Sequence, residues 1–395
     1  MALSNELATK KHVESLAFNR SASTVGETKA IFYIEKELKN EGIESTLEYF
    51  DWTGPTRILM RTSYLILITY LLISRLILVL VIYLVLKFSN EKTRDISLIK
   101  RESSKNIYTL IPAKHKDPNR PVVIFSAHYD SISANISYKT QIFIFLIYRL
   151  IITFFILVVL IFSVWLTFDL LRVFPLPPNI VEIIAIVSLF GIFSSLPILF
   201  LVFKEKPSSC SIDNASGVAI LIELAKLFDK NPLEKMDLYF IWTGAEEWGL
   251  KGSKKFCSEH FRELKQKYDL KKSININIDM VGTYIGLIDK AGIKIRRKMN
   301  KNLNDIFEAT ANTLNIPLKR YNKILEPKSD HKTFRSFARR ARKRLQIVFF
   351  HSSNDSKFIH SNRDTPDKCS PANLNGCLGI CYQALQNIDS RIGKG

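Results

Sequence analysis

The stretch PVVIFSAHYD, Pro121–Asp130, indicates the fold class because it joins a buried strand to residues that can do chemistry. Val122–Ala127 is nearly all apolar, which is the pattern of a strand covered on both faces in a parallel sheet. His128 and Asp130 follow at the carboxyl end of that strand. Ligands of open α/β sheets bind outside the carboxyl ends of the strands, so the stretch also predicts where a site lies.

Strands and helices alternate outward from this stretch. Further strands are predicted at Ile43–Trp52, Asn106–Ile111, Leu238–Trp242, Ser273–Ile278 and Gln346–Phe350. Helices are predicted at Thr24–Asn40 with Ser23 as the N-cap, Val218–Phe228, Lys254–Tyr268, Asn302–Leu314 and Ala372–Asn387. This alternation favours an α/β fold with a mixed, mostly parallel sheet flanked by helices. The short loop Lys114–Arg120 predicts that the strands on either side of it are antiparallel neighbours.

The composition separates the chain into two kinds of segment. Its 395 residues include 56 Lys and Arg against 37 Asp and Glu, a net charge of +19. Three long apolar blocks carry only one charged residue each: Thr62–Leu86, Ile142–Phe168 and Ile180–Phe203. About 20 apolar residues cross a hydrocarbon core, so the blocks predict membrane insertion and argue against an ordinary soluble enzyme. The charged remainder is large enough for one α/β domain.

The apolar blocks interrupt that domain, which we assign to residues 1–57, 89–140 and 204–395. Both ends of an insertion return to the same domain, so it must cross a bilayer an even number of times or not at all. Residues 141–203 hold two blocks and predict two transmembrane helices, and residues 58–88 predict a membrane hairpin. The domain side of the insertions is rich in positive charge, which predicts a cytoplasmic catalytic domain: Lys87, Lys92, Arg94, Lys139, Lys204 and Lys206.

Five short segments carry histidine and acidic residues at predicted strand ends or in the loops beyond them. They are Ser126–Asp130, Ile212–Gly217, Gly244–Gly249, Asn277–Met280 and Ile359–Ser361. Each segment alone is weak, because a lone histidine after a strand is commonly a hydrogen-bonded core residue. Together they bring imidazole and carboxylate ligands to one edge of a sheet, which suits a borderline divalent metal, above all zinc.

In this order the segments resemble the di-zinc aminopeptidases of metallopeptidase family twenty-eight, whose relatives include glutaminyl cyclase and glutamate carboxypeptidase. The resemblance runs from about Ser15 to the C-terminal helix and is carried by HYD, DNASG, EEWGLKGS, NIDMVG, SDH and IHSNRDT. It implies a zinc exopeptidase fold, here in a membrane-embedded variant. It also implies hydrolysis of N-terminal residues from peptides with two zinc ions as cofactors.

The resemblance also implies a role for each matching residue. His128 and Asp279 would hold one zinc ion and Glu247 and His360 the other, with Asp213 bridging the pair. Glu246 would be the general base, and the Asp130 carboxylate would orient the imidazole of His128. No role is assigned to Ser329–His331.

Three alternatives to the aminopeptidase remain open at this stage. The first is a catalytically silent membrane scaffold of the same fold, although the intact ligand set and Glu246 count against it. The others are a glutaminyl-cyclase-like activity and a carboxypeptidase activity. The preferred substrate residue and the oligomeric state are not predicted.

Charge, cysteine content and the N-terminal sequence limit the partners, disulfides and targeting signals that are expected. Basic clusters at Lys294–Lys301 and Arg335–Arg344 are expected to face solvent or the headgroups of a lipid bilayer, and no nucleic acid is expected as a partner. The five cysteines are odd in number and predict buried core residues rather than a disulfide framework. Residues 1–20 lack an apolar stretch, so no cleaved secretory signal is expected.

Overall fold

The computed structural model describes residues 7–52, 102–133, 138–170, 208–291, 297–298 and 301–392, with isolated positions at 179, 182, 183, 186 and 189. The chain divides into two compact units. The first comprises Met1–Trp52, Ser103–Ser133 and Lys206–Gly395, and the second comprises Thr53–Glu102 and Ala134–Glu205. The functions that we predicted for these parts of the chain, a catalytic domain and membrane insertions, stay predictions.

Nine strands of the described chain form one sheet in the order β1-β2-β4-β3-β5-β9-β6-β7, with β8 beside β6. They are β1 (Thr46–Trp52), β2 (Glu102–Ile111), β3 (Val122–His128), β4 (Asp237–Thr243), β5 (Ile274–Ile278), β6 (Ile285–Ala291), β7 (Arg297–Lys298), β8 (Leu318–Lys323) and β9 (Gln346–Phe350). The four central strands β4, β3, β5 and β9 are parallel, whereas β2 and β6 run antiparallel to their neighbours β4 and β9. The predicted mixed, mostly parallel sheet is confirmed.

The helices of the first unit precede, alternate with and follow these strands in the chain. They are α1 (Ala8–Ser15), α2 (Val25–Lys39), α4 (Ser216–Lys230), α5 (Lys251–Lys267), α6 (Lys301–Thr313), α7 (His331–Arg340) and α8 (Pro371–Asp389). In the second unit, α3 covers Tyr138–Leu170. The π-helical turn Ser211–Ala215 directly precedes α4.

Apolar side chains cover both faces of the central strands. On one face Phe125 of β3 stacks on Phe240 of β4 with ring centroids 5.0 Å apart, and Phe228 of α4 packs 6.4 Å from each. On the other face Ile124 and Ile241 belong to a cluster with residues of α5 and α7, among them Phe256, Phe261 and Phe334. Because the sheet is covered on both sides, its carboxyl edge is where polar side chains can gather.

The strand register aligns the ends of the parallel strands. His128 at the end of β3 pairs with Thr243 at the end of β4, and Ile278 of β5 pairs with Phe350 of β9. The segments that follow these four residues therefore start at one edge of the sheet. All the predicted site segments except Ile212–Gly217 follow one of these strands.

Two local predictions are wrong in detail. The N-cap of α2 is Thr24, whose side chain accepts from the amide of Glu27, and not Ser23. Strands β2 and β3 are not neighbours, because β4 lies between them. The loop Lys114–Arg120 is held instead by contacts outside the β2–β3 pair, with the Lys114 amide donating to Leu233 O at 2.9 Å.

The predicted transmembrane helices are not supported. Within the ranges given above, no helix is long and apolar enough to cross a membrane. The prediction of two transmembrane helices depended on the apolar composition of two blocks. Helix α3 contains the first block, Ile142–Phe168. The second block, Ile180–Phe203, lies almost wholly outside the described residues. The block Thr62–Leu86, and with it the hairpin at residues 58–88, also lies outside them.

Candidate metal centre

The first group of potential metal ligands joins two strand ends and the turn before α4. His128, Asp213 and Asp279 are buried, and one donor atom from each lies within 4.8 Å of the others. His128 Nε2 lies 3.0 Å from Asp213 Oδ1 and 3.5 Å from Asp279 Oδ1. The structure therefore brings together two residues predicted to hold one metal ion and the residue predicted to bridge.

A second group shares Asp213 with the first. His360 Nε2 lies 3.3 Å from Asp213 Oδ2 and 3.1 Å from Glu247 Oε1. Asp213 thus presents one carboxylate oxygen to each histidine. All five predicted metal ligands fall into these two groups, and Asp213 is common to both.

Buried contacts on two sides hold the turn that carries Asp213. The Asp364 carboxylate accepts from the amide of Ile212 at 2.6 Å and from the amide of Asp213 at 3.3 Å. On the other side the Arg20 guanidinium donates to Cys210 O at 2.9 Å and to Ser209 O at 3.2 Å. The Asp213–Asn214 peptide bond is cis. These contacts fix the backbone immediately before the shared carboxylate.

Arg20 connects this turn to the loop after His128. Its Nε donates to Tyr129 O at 2.8 Å, and further donors reach the carbonyls of Leu16 and Phe18. The side chain is fully buried, and burial lowers the pKa of its guanidinium. Arg20 satisfies backbone acceptors in the N-terminal segment and beside two ligand segments at once.

Asp130 anchors the loop of the two adjacent glutamates. Its Oδ1 accepts from the amide of Glu246 at 2.9 Å and its Oδ2 from the amide of Glu247 at 3.2 Å. The Asp130 carbonyl, rather than its carboxylate, makes the shorter contact to the His128 imidazole, at 3.0 Å from Nδ1 against 3.7 Å. Asp130 therefore positions both His128 and Glu246, by different groups.

Four residues next to ligand segments hold a left-handed backbone although none is glycine. They are Cys210 (φ 47°), Ala245 (φ 48°), Met280 (φ 75°) and His360 (φ 55°). Such conformations cost free energy and persist where surrounding contacts determine them. Here they turn the chain sharply at or beside residues of the ligand segments, so that side chains from separate elements converge.

The electrostatics of the two groups favour a positive charge. Burial opposes charge on His128, but the Asp130, Asp213 and Asp279 carboxylates raise its pKa well above the usual value. Burial would raise the pKa of Asp213, but His128 and His360 lower it below its ordinary value. Imidazole nitrogen and carboxylate oxygen at these spacings are the donor set that zinc takes in proteins. The residues present fit one metal ion in each group.

Glu246 has no place in either ligand group, although it adjoins Glu247. Burial raises its pKa well above the usual value, and the negative charges of Glu247, Asp330 and Asp279 raise it further, against an opposing effect of His128. A raised proton affinity is the property expected of a carboxylate that accepts a proton and later releases it in general acid–base catalysis.

Asp330 and His331, for which no role was predicted, are buried, and Asp330 contacts Thr243 directly before the loop of Glu246 and Glu247. The Asp330 Oδ2 accepts from the Thr243 hydroxyl at 2.5 Å, and burial raises the pKa of its carboxyl to about 6. His331 is stacked on Phe349 at 4.0 Å and pairs through Nε2 with Glu326 at 3.1 Å. Burial lowers its pKa to about 4, so the ring is neutral at neutral pH.

A protein-family model matches the part of the chain that contains most of the predicted site residues. Residues 203–385 match the model of Peptidase family M28. The chain is a metallopeptidase-type hydrolase. This confirms the predicted enzyme class. The matched segment contains Asp213, Glu246, Glu247, Asp279 and His360, whereas His128 and Asp130 precede it.

Several solved structures share the fold at low sequence identity. An aminopeptidase from Aneurinibacillus sp. strain AM-1 superposes with a TM-score of 0.57 and 16% identity, covering 97% of this chain and 93% of that chain. A zinc aminopeptidase from Bacillus subtilis gives 0.54 and 12%, covering 97% and 94%. A glutaminyl cyclase from Fimbriiglobus ruber gives 0.56 and 13%, covering 96% and 94%. No protein of curated function matches the sequence.

Proposed function

We propose that the protein is a di-zinc aminopeptidase that removes N-terminal residues from peptides. One observation carries the proposal: Asp213 presents one oxygen to His128 at 3.0 Å and the other to His360 at 3.3 Å, so two metal-binding groups share one carboxylate. A shared carboxylate suits a two-metal hydrolase, because it can hold two cations at the separation of about 3.5–4 Å that such enzymes use.

Each ligand residue would take a defined part in holding the metal ions. His128 and Asp279 would hold one zinc ion, and His360 and Glu247 the other, with Asp213 common to both. When bound, the two ions would lower the pKa of a water molecule and polarise the scissile carbonyl.

Glu246 would move the proton. Its backbone is fixed by the Asp130 carboxylate, so its side chain is held beside Glu247 without entering the ligand set. Glu246 would accept a proton from the attacking water and then donate it to the leaving amine. The proton affinity that burial and neighbouring carboxylates give this side chain suits both steps.

The experiment is peptide hydrolysis by the detergent-solubilised full chain, followed by liquid chromatography. A peptide with a free N-terminus is compared with its acetylated form, each with and without a zinc chelator. We expect cleavage of the free peptide alone, abolished by chelator and reduced by at least about 100-fold in Glu246→Gln. The matched control is Glu14→Gln on α1, which removes an exposed glutamate.

The same assay separates the alternatives. Cyclisation of an N-terminal glutaminyl residue without peptide cleavage would replace the proposal with a cyclase. Cleavage from the C-terminus of the acetylated peptide would replace it with a carboxypeptidase. Absence of any reaction together with absence of bound zinc would leave the silent scaffold.

We also propose that the protein contacts a lipid bilayer. Large apolar side chains are exposed along α3, among them Phe143, Leu150, Phe154 and Ile161. Exposed apolar surface on this scale is typical of a lipid or protein contact. Co-sedimentation with lipid vesicles tests the proposal, since a protein that contacts lipid pellets with the vesicles and one that does not stays in the supernatant.

The positive flanks of the apolar segments support a cytoplasmic catalytic domain. The five native cysteines are buried, so a single exposed cysteine can report sidedness. In Lys39→Cys, an impermeant maleimide should label inverted vesicles and not intact cells. Labelling of intact cells would place the domain on the other side.

A further inference from the structure

His351, a histidine with no predicted role, directly follows β9 at the carboxyl edge of the sheet. Its two neighbours in the chain bind the segment of the predicted ligand Asp279. The Asp279 amide donates to Phe350 O at 3.1 Å, and the Ser352 amide donates to Met280 O at 2.9 Å. These hydrogen bonds fix the backbone of His351 beside a ligand segment.

The side chain of His351 continues a row of residues that begins at the metal centre. The register aligns three residues of neighbouring strands: Ser126 of β3, Asn277 of β5 and Phe349 of β9. Two residues further on, and therefore on the same face, come His128, Asp279 and His351. His128 and Asp279 have side-chain atoms 3.5 Å apart, as expected of such a row. Neighbouring strands are about 4.8 Å apart, so His351 stands next to Asp279.

Two contacts hold the imidazole of His351, and one of its nitrogens is available to a ligand. The residue is 5% exposed, and its ring centroid lies 5.4 Å from that of Phe349. Nδ1 lies 2.8 Å from the Ser353 hydroxyl. Among the described residues, Nε2 has no hydrogen-bond partner, and His351 belongs to neither group of potential metal ligands. Buried polar atoms are ordinarily paired, so Nε2 calls for a partner that a bound substrate can supply.

The hydrogen bonds around Ser353 favour the ring proton of His351 on Nε2. The Tyr321 hydroxyl has one proton and two nearby acceptors, the carbonyl of His351, which is the closer, and the Ser353 hydroxyl at 2.9 Å. Donation to the carbonyl leaves the Ser353 hydroxyl able to donate its own proton to Nδ1. In that tautomer Nε2 carries the ring proton and is a donor.

The surroundings of His351 favour a neutral ring. Burial lowers its pKa, the Asp279 and Asp213 carboxylates act in the opposite direction, and the Lys323 ammonium lowers the pKa further. The net direction is downward, so the imidazole is neutral at neutral pH. A neutral N–H donor can approach a substrate at a metal centre without the repulsion that an imidazolium would meet there.

We propose that Nε2 of His351 donates a hydrogen bond to the oxygen of the scissile carbonyl and stabilises it as an oxyanion. The peptide's N-terminal ammonium has donors only and does not match an N–H group, whereas the carbonyl oxygen is an acceptor that gains negative charge as water adds. The proposal rests on the proposed aminopeptidase function, because it adds a catalytic residue to the same site.

His351 makes no covalent bond in this step and keeps its proton. The water oxygen forms a bond to the carbonyl carbon, and the water proton goes to Glu246. The electron pair of the carbonyl π bond moves to the oxygen that His351 contacts, and it returns when the bond to the leaving amine breaks. One donor aimed at such an oxygen contributes about 100- to 1,000-fold to kcat.

Substitutions separate the hydrogen bond of His351 from its packing. His351→Phe keeps a ring against Phe349 and removes the donor, so we expect kcat to fall about 100-fold with KM nearly unchanged. His351→Gln keeps an N–H group near the position of Nε2 and should recover part of the loss. Ser353→Ala removes the partner of Nδ1 and should lower kcat about tenfold, which tests the proposal even if the phenylalanine variant does not fold. The matched control is His115→Phe, which removes an exposed ring before β3.

Binding of a tetrahedral analogue to the zinc-loaded full chain gives a readout apart from turnover. The phosphonic acid analogue of leucine resembles the tetrahedral intermediate, whereas leucine itself has a planar carboxylate. His351→Phe should weaken binding of the phosphonate by about the factor lost in kcat/KM and weaken binding of leucine less. Zinc affinity and the thermal midpoint should stay unchanged. A fall in zinc affinity would show that His351 positions a metal ligand instead, and would overturn the proposal.

The outcomes distinguish this proposal from the aminopeptidase itself. Full kcat in His351→Phe, beside a wild type that hydrolyses peptides, overturns the role of His351 and leaves the aminopeptidase standing. A rise in KM alone also overturns it, because the contact would then be made equally in the ground state. If the wild type hydrolyses no peptide but binds the phosphonate through His351, the contact is confirmed and the aminopeptidase is overturned. Neither hydrolysis nor phosphonate binding overturns both.

Discussion

Asp130 Oδ1 accepts a hydrogen bond from the backbone amide of Glu246 at 2.9 Å. The second oxygen of the same carboxylate accepts from Glu247 at 3.2 Å, and the Asp130 carbonyl lies 3.0 Å from the His128 ring. Asp130, in the loop after β3, thus positions both the predicted ligand at the end of its own strand and the glutamate pair after β4. The two sides of the centre are coupled through Asp130.

Replacement of Asp130 by asparagine should weaken the site without removing any predicted ligand. Asparagine offers one acceptor oxygen, and its amino group would face a backbone donor. Changes to residues that hold ligands in place cost about 10–100-fold in metal affinity or activity, and we expect a loss of that size. Zinc titration against a competing chelator and kcat/KM measure it. Asp229→Asn, an exposed change on α4, is the control, and an Asp130→Asn protein with unaltered zinc affinity and activity would contradict the coupling.

The shared carboxylate predicts a characteristic pattern of zinc stoichiometry. Asp279→Ala and Glu247→Ala each affect one ligand group, so each variant should retain about one of two zinc ions per protein. Asp213→Ala affects both groups and should retain none under the same conditions. Elemental analysis after dialysis against a weak chelator gives the counts. If Asp213→Ala keeps one ion firmly, Asp213 does not bridge.

The fold was predictable because each central strand has an apolar pattern and a clear end. Gln346–Phe350 was predicted with its observed bounds, and the last helix differs by only one or two residues at each end. Strand order was not predictable in the same way. The loop between β2 and β3 is short, but β4 enters between them from a part of the chain more than a hundred residues away. The length of a loop predicts the relative direction of the two strands that it joins better than it predicts whether those strands are neighbours in the sheet.

The ligand residues were recognisable because five segments with histidine or acidic residues occur together at predicted strand ends or in the loops beyond them, and a family resemblance assigned their roles. The supporting residues lacked such a signal. Asp364 occurs four residues after His360 within a recognised motif, yet its hydrogen bonds to Ile212 and Asp213 depend on folding across 151 or more positions. Arg20 had no signal at all, because a lone arginine in an N-terminal segment is ordinarily a surface residue.

Arg20 should be necessary for the metal centre although it contacts no ligand side chain. Arg20→Gln would remove the guanidinium donors from the carbonyls of Tyr129 and Cys210, of which Cys210 O keeps only the Ala215 amide, at 3.3 Å, among the described residues. We expect zinc affinity to fall about tenfold or more. Arg20→Lys keeps the charge with fewer donors and should be intermediate. Zinc titration and the thermal midpoint are compared with Arg339→Gln, an exposed arginine on α7. A loss of thermal stability with full zinc affinity would limit Arg20 to a structural role.

Asp237 at the start of β4 should make the stability of the first unit depend on acid. Its carboxylate accepts from Arg120 Nε and Nη2, both at 2.7 Å, from the Tyr268 hydroxyl at 2.6 Å and from the Ala113 amide at 2.9 Å. Burial alone would raise its pKa, but these donors hold the pKa below the ordinary value of 3.8. We expect Asp237→Asn to lower the free energy of unfolding by about 2 kcal/mol at pH 7.

The pH dependence of that difference follows from the sign of the shift. A carboxyl group whose pKa is lower in the folded than in the unfolded protein stabilises the fold above the unfolded pKa, about 3.9. This contribution is lost as the pH falls through the lower, folded value. The difference between wild type and Asp237→Asn should therefore be constant from pH 7 to pH 5 and shrink below about pH 4. Urea unfolding followed by tryptophan fluorescence at each pH measures it, with Asp229→Asn as the control. A difference that grows with acidification would show that Asp237 is protonated more readily in the folded protein, against the contacts described.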